Sequence, residues 1–231
     1  VGDVKLRAVL QHVAQKRASP DTRTQAYEAF LAAMPGWGCF EALPVDASGA
    51  CRVGMPFCGS LNETPALLPF LKEQILDRGG VQELRVFGTE VLGEGKPFWW
   101  PGWKAWVAHE LGERVQLDFA QMDLSLDAPP PADLIIAVHP EALKAIESTD
   151  ADMNVTLRAH SLWHDILANV CASCSPQGRM VFATFFLAEA RAVDQIMRGH
   201  GRESKIQESP FWASAPRNAP DTHLRWAVIV T

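Results

Sequence analysis

The feature that most constrains the fold is an alternation of short apolar runs with helical segments, which begins near residue 51 and continues along the chain. Five runs have the length and the apolar or β-branched content of strands: 52–57, 83–90, 115–124, 133–138 and 179–186. Helical periodicity separates most of them, over 64–77, 102–112, 154–172 and 188–198. Because parallel strands need crossover connections that cover the sheet, this order predicts a mostly parallel α/β sheet with helices on both faces.

The end of the chain departs from this alternation. Residues 204–208 and 224–230 have strand character, and the connection between them contains Pro210, Pro216 and Pro220. A crossover helix does not fit into so short and so interrupted a connection. The last strand is therefore predicted to be antiparallel to its neighbour.

The N-terminal residues have a different pattern. Apolar residues recur at helical spacing before residue 18 and again over 22–34, with Pro20 between the two segments. We expect residues 1–50 to form a helical cap or extension, and residues 51–231 to form the α/β domain. The chain starts with Val1 rather than Met and has no charged start followed by an apolar stretch, so we expect a fragment or processed form without a signal peptide.

Composition excludes several classes of protein. The chain is 231 residues long, with 48% hydrophobic and 21% charged residues and a net charge of -6, which does not suit a disordered chain. No apolar run reaches the roughly 20 residues of a membrane span, and no long Lys/Arg cluster is present, so neither a membrane nor nucleic acid is an expected partner. The odd count of 5 cysteines predicts a reduced, intracellular and cytoplasmic protein.

The strand ends resemble the motifs of the class I S-adenosylmethionine-dependent methyltransferases, which have a Rossmann-like fold with strand order 3-2-1-4-5-7-6. The first predicted strand runs into the turn Phe57, Cys58, Gly59 and Ser60, where the family has a glycine-rich turn against the methionine part of the cofactor. This turn has a single glycine and departs from the acidic-G-x-G-x-G pattern. The segments 132–136 and 178–182 are similar to the family's fourth strand and to the entry into its fifth.

The resemblance also implies binding residues for the rest of S-adenosylmethionine. Glu90, followed by Val91, ends the second strand as the family's ribose-binding acidic residue does, since a carboxylate accepts hydrogen bonds from both ribose hydroxyls. Met122 and Asp123 end the third strand, where the family contacts adenine. The alternatives are a solvated loop carboxylate for Glu90 and a turn or helix cap for Asp123.

The fourth strand ends at His139, Pro140 and Glu141. In the resembling family a side chain at this position orients the acceptor or takes its proton, and an imidazole with a pKa near 6.5 suits a general base at neutral pH. We therefore predict catalytic roles for His139 and Glu141, with His139 also close to the cofactor. The alternative is a histidine that hydrogen-bonds the backbone of a tight turn. The (D/N)PP(Y/F) motif of nucleic-acid amino methyltransferases is absent here.

Two further clusters have competing interpretations. Four of the 8 tryptophans lie between residues 99 and 106. Trp103 and Trp106 are predicted to be buried on a helix, whereas Trp99 or Trp100 either packs or lines an adenine pocket or a cation-binding cage. His160 and His164, with Cys171 and Cys174, lack the second half of a zinc site, so no metal is predicted.

The predicted function is methyl transfer from S-adenosylmethionine to an O or N nucleophile of a small-molecule substrate. The alternative is a catalytically inactive scaffold or binding module that keeps the methyltransferase-like fold, because fold does not imply function. A nicotinamide-dependent oxidoreductase is disfavoured, since residues 58–63 do not supply a G-x-G-x-x-G turn. The sequence leaves the oligomeric state open.

Overall fold

The structure is a computed structural model, and it describes residues 2–58, 64–78, 80–90, 96–138, 153–211 and 224–231. Six α-helices are described: α1 (Gly2–Ala18), α2 (Thr22–Ala33), α3 (Thr64–Leu71), α4 (Lys96–Leu111), α5 (Met153–Ser173) and α6 (Leu187–Gly199). The strands are β1 (Ala50–Pro56), β2 (Glu83–Glu90), β3 (Val115–Gln121), β4 (Ala132–Val138), β5 (Cys174–Thr184), β6 (Ser204–Glu208) and β7 (Trp226–Val230). A 3-10 turn (Pro35–Trp37) follows α2, and a π-helix (Lys72–Leu76) continues α3.

The strands form one 7-stranded sheet in the order β3-β2-β1-β4-β5-β7-β6. The first five strands pair in parallel, and β7 lies between β5 and β6 and is antiparallel to both. Both the predicted fold class and the predicted strand order are confirmed. The antiparallel last strand is confirmed as well.

The register brings the carboxyl ends of three strands to one edge of the sheet. Pro56 of β1 lies beside Thr89 of β2, and Glu90 lies beside Gln121 of β3. In open parallel sheets ligands bind beyond these ends, at the point where the strand order reverses. Here that point lies between β1 and β4, which pair through Val53 and Leu134.

Helices cover the two faces of the sheet unequally. Helices α1 to α4 share one apolar core with residues from β1 to β5, among them the fully buried Phe30, Leu68 and Trp106. Helices α5 and α6 pack on the other face in a second core that includes Trp163 and Phe182. Among the described residues, no helix is long and apolar enough to cross a membrane.

At the β2–β3 end of the sheet, one face carries no helix within the described residues. The β3–β4 connection, residues 122–131, is described throughout and contains turns and no helix. Arg85, Gln116 and Asp118 are exposed there, and their neighbours along each strand are buried on the opposite face. The sequence contains this difference, because β2 and β3 alternate whereas β4 is apolar at nearly every position.

Two predicted element boundaries are wrong. Helix α4 begins at Lys96 rather than near residue 102, so most of the proline- and tryptophan-rich segment is helical despite Pro101. Strand β5 begins at Cys174 rather than at residue 179. The burial of Trp103 and Trp106 is confirmed, and their packing on the core explains why the helix tolerates an internal proline.

Candidate active site

Two backbone hydrogen bonds join the carboxyl ends of β1, β2 and β3. The N–H of Cys58 donates to the carbonyl of Thr89 at 3.0 Å, and the N–H of Met122 donates to the carbonyl of Glu90 at 3.1 Å. These bonds hold the second residue after β1, the end of β2 and the first residue after β3 side by side. The structure therefore brings together five of the predicted site residues, which are Phe57, Cys58, Glu90, Met122 and Asp123.

The other predicted site residues lie outside the described part of the chain. They are Gly59, Ser60, Val91, His139 and Glu141. His139 directly follows Val138, the last residue of β4.

Phe57 has a positive φ of 63°. This left-handed conformation costs a residue with a side chain about 1–2 kcal/mol, and glycine adopts it freely. The turn after β1 thus keeps a backbone conformation suited to glycine at a position where this sequence has phenylalanine. The Phe57 ring lies 6.0 Å from the Trp163 ring of α5, centroid to centroid, so packing helps to hold the turn.

Gly88 allows close packing beneath this turn. A Cβ atom there would lie 2.6 Å from Cδ1 of Phe119 and 3.0 Å from Sγ of Cys58. Phe119 in turn stacks on Trp100, with 4.9 Å between ring centroids and 19° between planes. Trp100, one of the two tryptophans considered for a pocket, is therefore held against β3. The side chain of the other, Trp99, is not among the described side chains.

The two acidic residues of the site have different surroundings. Glu90 is partly buried at the end of β2. The carboxylate of Asp123 is exposed and accepts hydrogen bonds from Oγ of Ser125 at 2.6 Å and from its backbone N–H at 3.0 Å. These bonds, the side-chain one first, lower the pKa of Asp123. Both bonds go to Oδ1, so Asp123 caps this turn with one of its two carboxylate oxygens.

A small apolar pocket of about 30 Å³ lies beyond the ends of β1 and β4. We call it the apolar pocket, and its lining residues are Tyr27, Met55, Pro56, Phe57, Cys58, Thr64, Leu67, Ile136 and Val138. Sequence analysis did not predict Tyr27 as a site residue, because it lies within the amphipathic segment 22–34 and has the spacing of an ordinary core residue. The available signal was its rarity, since it is the 1 tyrosine of the chain.

Thr89 places an unsatisfied polar atom near the strand ends. Its side chain is 1% exposed, and Oγ1 has no hydrogen-bond partner among the described residues. A buried hydroxyl without a partner is costly, and such atoms mark places where a ligand or water completes the hydrogen bonding. The strand ends therefore offer a partly buried carboxylate, a buried hydroxyl and apolar side chains, which fit a ligand with both hydroxyl groups and apolar parts.

Within the described residues, no group of three His, Cys, Asp or Glu side chains is placed to hold a metal ion. Cys171 and Cys174 are buried, and burial raises the pKa of Cys174 to about 11. A thiol with so high a pKa is a poor nucleophile and a poor metal ligand at neutral pH.

No protein-family model matches the sequence, and neither does any curated protein. Among solved structures, a possible exported protein from Bordetella parapertussis is similar, with a TM-score of 0.52 and 12% identity over 90% of this chain and 67% of that one. DesVI from Streptomyces venezuelae has a TM-score of 0.50 and 9% identity, over 89% of this chain and 91% of that one. A precorrin-6y C5,15-methyltransferase from Geobacter metallireducens has a TM-score of 0.47 and 13% identity, over 91% and 88%.

These likenesses concern the fold. The strand order β3-β2-β1-β4-β5-β7-β6, with β7 antiparallel, is the order that the sequence resemblance implied. The chain has the fold of the class I S-adenosylmethionine-dependent methyltransferases.

Proposed function

We propose that the protein transfers a methyl group from S-adenosylmethionine to an O or N nucleophile of a small molecule. The observation that carries this proposal is the arrangement of the strand ends. Glu90 lies between the turn after β1 and the residues after β3. The Cys58–Thr89 and Met122–Glu90 backbone hydrogen bonds hold these three segments together. A ligand that spans the strand ends would meet a carboxylate at its middle.

The proposed binding roles follow the chemistry of each residue. The Glu90 carboxylate accepts hydrogen bonds from the two ribose hydroxyls, with Val91 beside it. Met122 and Asp123 contact the adenine ring, and the turn after β1 lies against the methionine part of the cofactor. That turn comprises Phe57, Cys58, Gly59 and Ser60.

When bound, S-adenosylmethionine supplies a methyl group on an already activated sulfonium. The protein then has to align the acceptor with that methyl group and exclude water. The apolar side chains of Met55, Ile136 and Val138 suit this role because they offer no competing hydrogen-bonding group. An acceptor that is protonated at neutral pH loses its proton to a base, and we assign this step to His139, with Glu141 orienting the acceptor.

Calorimetry with S-adenosylhomocysteine tests the proposal. Substitution Glu90→Ala removes a charged acceptor of two hydrogen bonds, so we expect about tenfold or more weaker binding. The matched control is Glu113→Gln, which removes an exposed carboxylate from the turn before β3 and should bind like the wild type. Absence of binding to correctly folded wild-type protein would refute the proposal.

A catalytically inactive scaffold is the second candidate. The observation that favours it is the volume of the apolar pocket, about 30 Å³, against roughly 300 Å³ or more for a typical ligand site. A scaffold predicts that Glu90→Ala has no effect on any ligand and that S-adenosylhomocysteine leaves the thermal unfolding midpoint unchanged.

We also propose a reducing, cytoplasmic setting for the protein. All five cysteines are free, and Cys39, Cys51, Cys171 and Cys174 are buried. Retention of stability in strong reductant is the expected result.

A further inference from the structure

Two exposed histidines meet on the outer side of the helices that form the second core. His164 lies in α5 and His200 is the C-cap of α6, and the centroids of their rings are 5.6 Å apart, with 45° between the ring planes. Both side chains are exposed to solvent. From the sequence His164 lacked the second half of a metal site, and the packing of α6 against α5 brings another imidazole beside it.

The backbone positions of both histidines are fixed by the packing around them. Trp163, which precedes His164, and Met197, near the end of α6, are buried in the second core. The N–H of His200 donates to the carbonyl oxygens of Ile196 and Met197, both at 3.1 Å. A ligand shared by the two rings therefore meets a nearly preformed pair, in which only side-chain torsions have to adjust.

The distance between the rings suits a shared metal ion. A zinc ion bound about 2.1 Å from one nitrogen of each ring, at a tetrahedral angle, sets the ring centroids about 5 Å apart. The observed 5.6 Å differs from this distance by no more than a small rotation of the side chains. No hydrogen bond or ion pair joins either ring to another of the described residues, so the ring nitrogens are available to a metal.

We propose that His164 and His200 together bind a zinc ion, which links α5 to α6 on the surface of the protein. Imidazole nitrogens suit zinc and its transition-metal neighbours, whereas magnesium and calcium prefer oxygen ligands. Water completes the coordination of the ion. The side chain of His160, four residues earlier in α5, is not among the described ones, and we assign the site to the two described rings.

This zinc site is independent of the proposed function. Neither histidine lines the apolar pocket, and both lie on helices rather than at the strand ends. The role of the ion is to join two helices, and no step of methyl transfer involves it. Its test therefore uses no S-adenosyl compound, and its failure would leave the proposed function untouched.

Calorimetric titration of the metal-free full chain with zinc chloride tests the inference, with magnesium chloride as the reference ion. Zinc should bind to the wild type and magnesium should not bind at this site. His164→Gln and His200→Gln should each weaken zinc binding about tenfold or more, because either substitution leaves a single imidazole. The double variant His164→Gln/His200→Gln should bind zinc no more weakly than the single variants do, since chelation is lost with the first ring.

The matched control is His109→Gln, which removes an exposed histidine from the last turn of α4. It should bind zinc as the wild type does. Circular dichroism without zinc establishes that each variant is folded.

Cysteine thiolates are the competing zinc ligands, and the ring ¹⁵N resonances of histidine-labelled protein separate the two kinds of site. The chain has 7 histidines, and the variants assign the signals of His164 and His200 by their loss. Zinc should shift both signals. If zinc leaves both signals unchanged, if the single variants bind zinc as the wild type does, or if the two single losses add up in the double variant, the inference is overturned.

Discussion

Ala42 and Phe57 have a positive φ, 51° and 63°, and they differ in what their side chains do. Phe57 packs on Trp163 and lines the apolar pocket, so its side chain offsets the cost of the left-handed backbone. Ala42 is exposed in the loop before β1. Backbone strain next to a pocket indicates a functional constraint, whereas backbone strain in an exposed loop can be removed by substitution with glycine.

We predict that Ala42→Gly stabilises the protein by about 1 kcal/mol, because glycine removes the left-handed penalty and the methyl group lost is exposed. Urea unfolding measures this difference. The control is Ala47→Gly, an exposed loop position without a positive φ, where added chain entropy should lower stability. Equal effects of the two substitutions would contradict the strain argument.

At the same scale, sequence analysis predicted binding roles for Glu90 and the turn after β1 from the resemblance, but it predicted none for Tyr27. The reason is physical. A tyrosine on the apolar side of a helix is compatible with an ordinary core, and only the packing of α2 against the strand ends brings it to a pocket.

At the scale of elements, helices α1 and α4 pack closely against each other at Gly102 of α4. A Cβ atom on Gly102 would lie 2.9 Å from the backbone oxygen of Lys5 and 3.0 Å from Cγ2 of Val9. A backbone atom cannot rotate away, so the helices would have to separate. Val9 and Val13 are buried in this contact, together with Trp103 and Trp106.

We therefore predict that Gly102→Ala destabilises the protein by about 1–3 kcal/mol, although alanine favours the helix itself. Chemical unfolding followed by tryptophan fluorescence measures the loss. Gly199→Ala is the matched control, because it ends α6 and nothing lies within 4 Å of the position of its Cβ. A neutral or stabilising Gly102→Ala would show that the two helices separate at little cost.

The elements themselves were predictable to different degrees. Strand β4 was predicted from its continuous apolar run, and α5 and α6 were predicted from their strong helical periodicity. The start of α4 was missed because Pro101 normally interrupts a helix, and here the burial of Trp103 and Trp106 outweighs that preference. The local sequence does not contain this contribution from tertiary packing.

For the whole molecule, acid should weaken the N-terminal region first. Hydrogen bonds from Thr24, backbone before side chain, and from Lys16 lower the pKa of Asp21, the N-cap of α2. Hydrogen bonds from Ser48 and Ala50 lower the pKa of Asp46 from 3.8 to about 2. A carboxyl group with a lowered pKa in the folded state contributes stability above its unfolded pKa, and this stability is lost as the pH falls toward the folded value.

We predict that the double variant Asp21→Asn/Asp46→Asn loses less stability than the wild type between pH about 4 and about 2, because asparagine caps the same turns without titrating. Unfolding by urea at a series of pH values gives the two slopes. Asp127→Asn/Asp165→Asn, which removes two exposed carboxylates elsewhere, controls for net charge. The prediction would be contradicted if the free energy of unfolding fell equally steeply with pH for the wild type and for the Asp21/Asp46 variant.

The division into a cap of residues 1–50 and a domain of residues 51–231 stays a prediction at this scale. Tyr27, Phe30 and Leu31 share one core with the strands, so separation of the two parts would expose apolar surface. The strand order was predicted from the resemblance to the methyltransferase family, whereas the alternation of strands and helices by itself predicted only a mostly parallel sheet. One face of the sheet is partly uncovered because the β3–β4 connection contains no helix. The sequence indicated this only through the short length of that connection.

Because Tyr27 lines the apolar pocket and is the 1 tyrosine of the chain, a single isotopic label reports on that pocket. Growth on 3-fluorotyrosine would place fluorine at Tyr27 and nowhere else, and the ¹⁹F spectrum would contain one protein resonance. Its shift on addition of S-adenosylhomocysteine would show, without any change to the sequence, whether that compound reaches the apolar pocket.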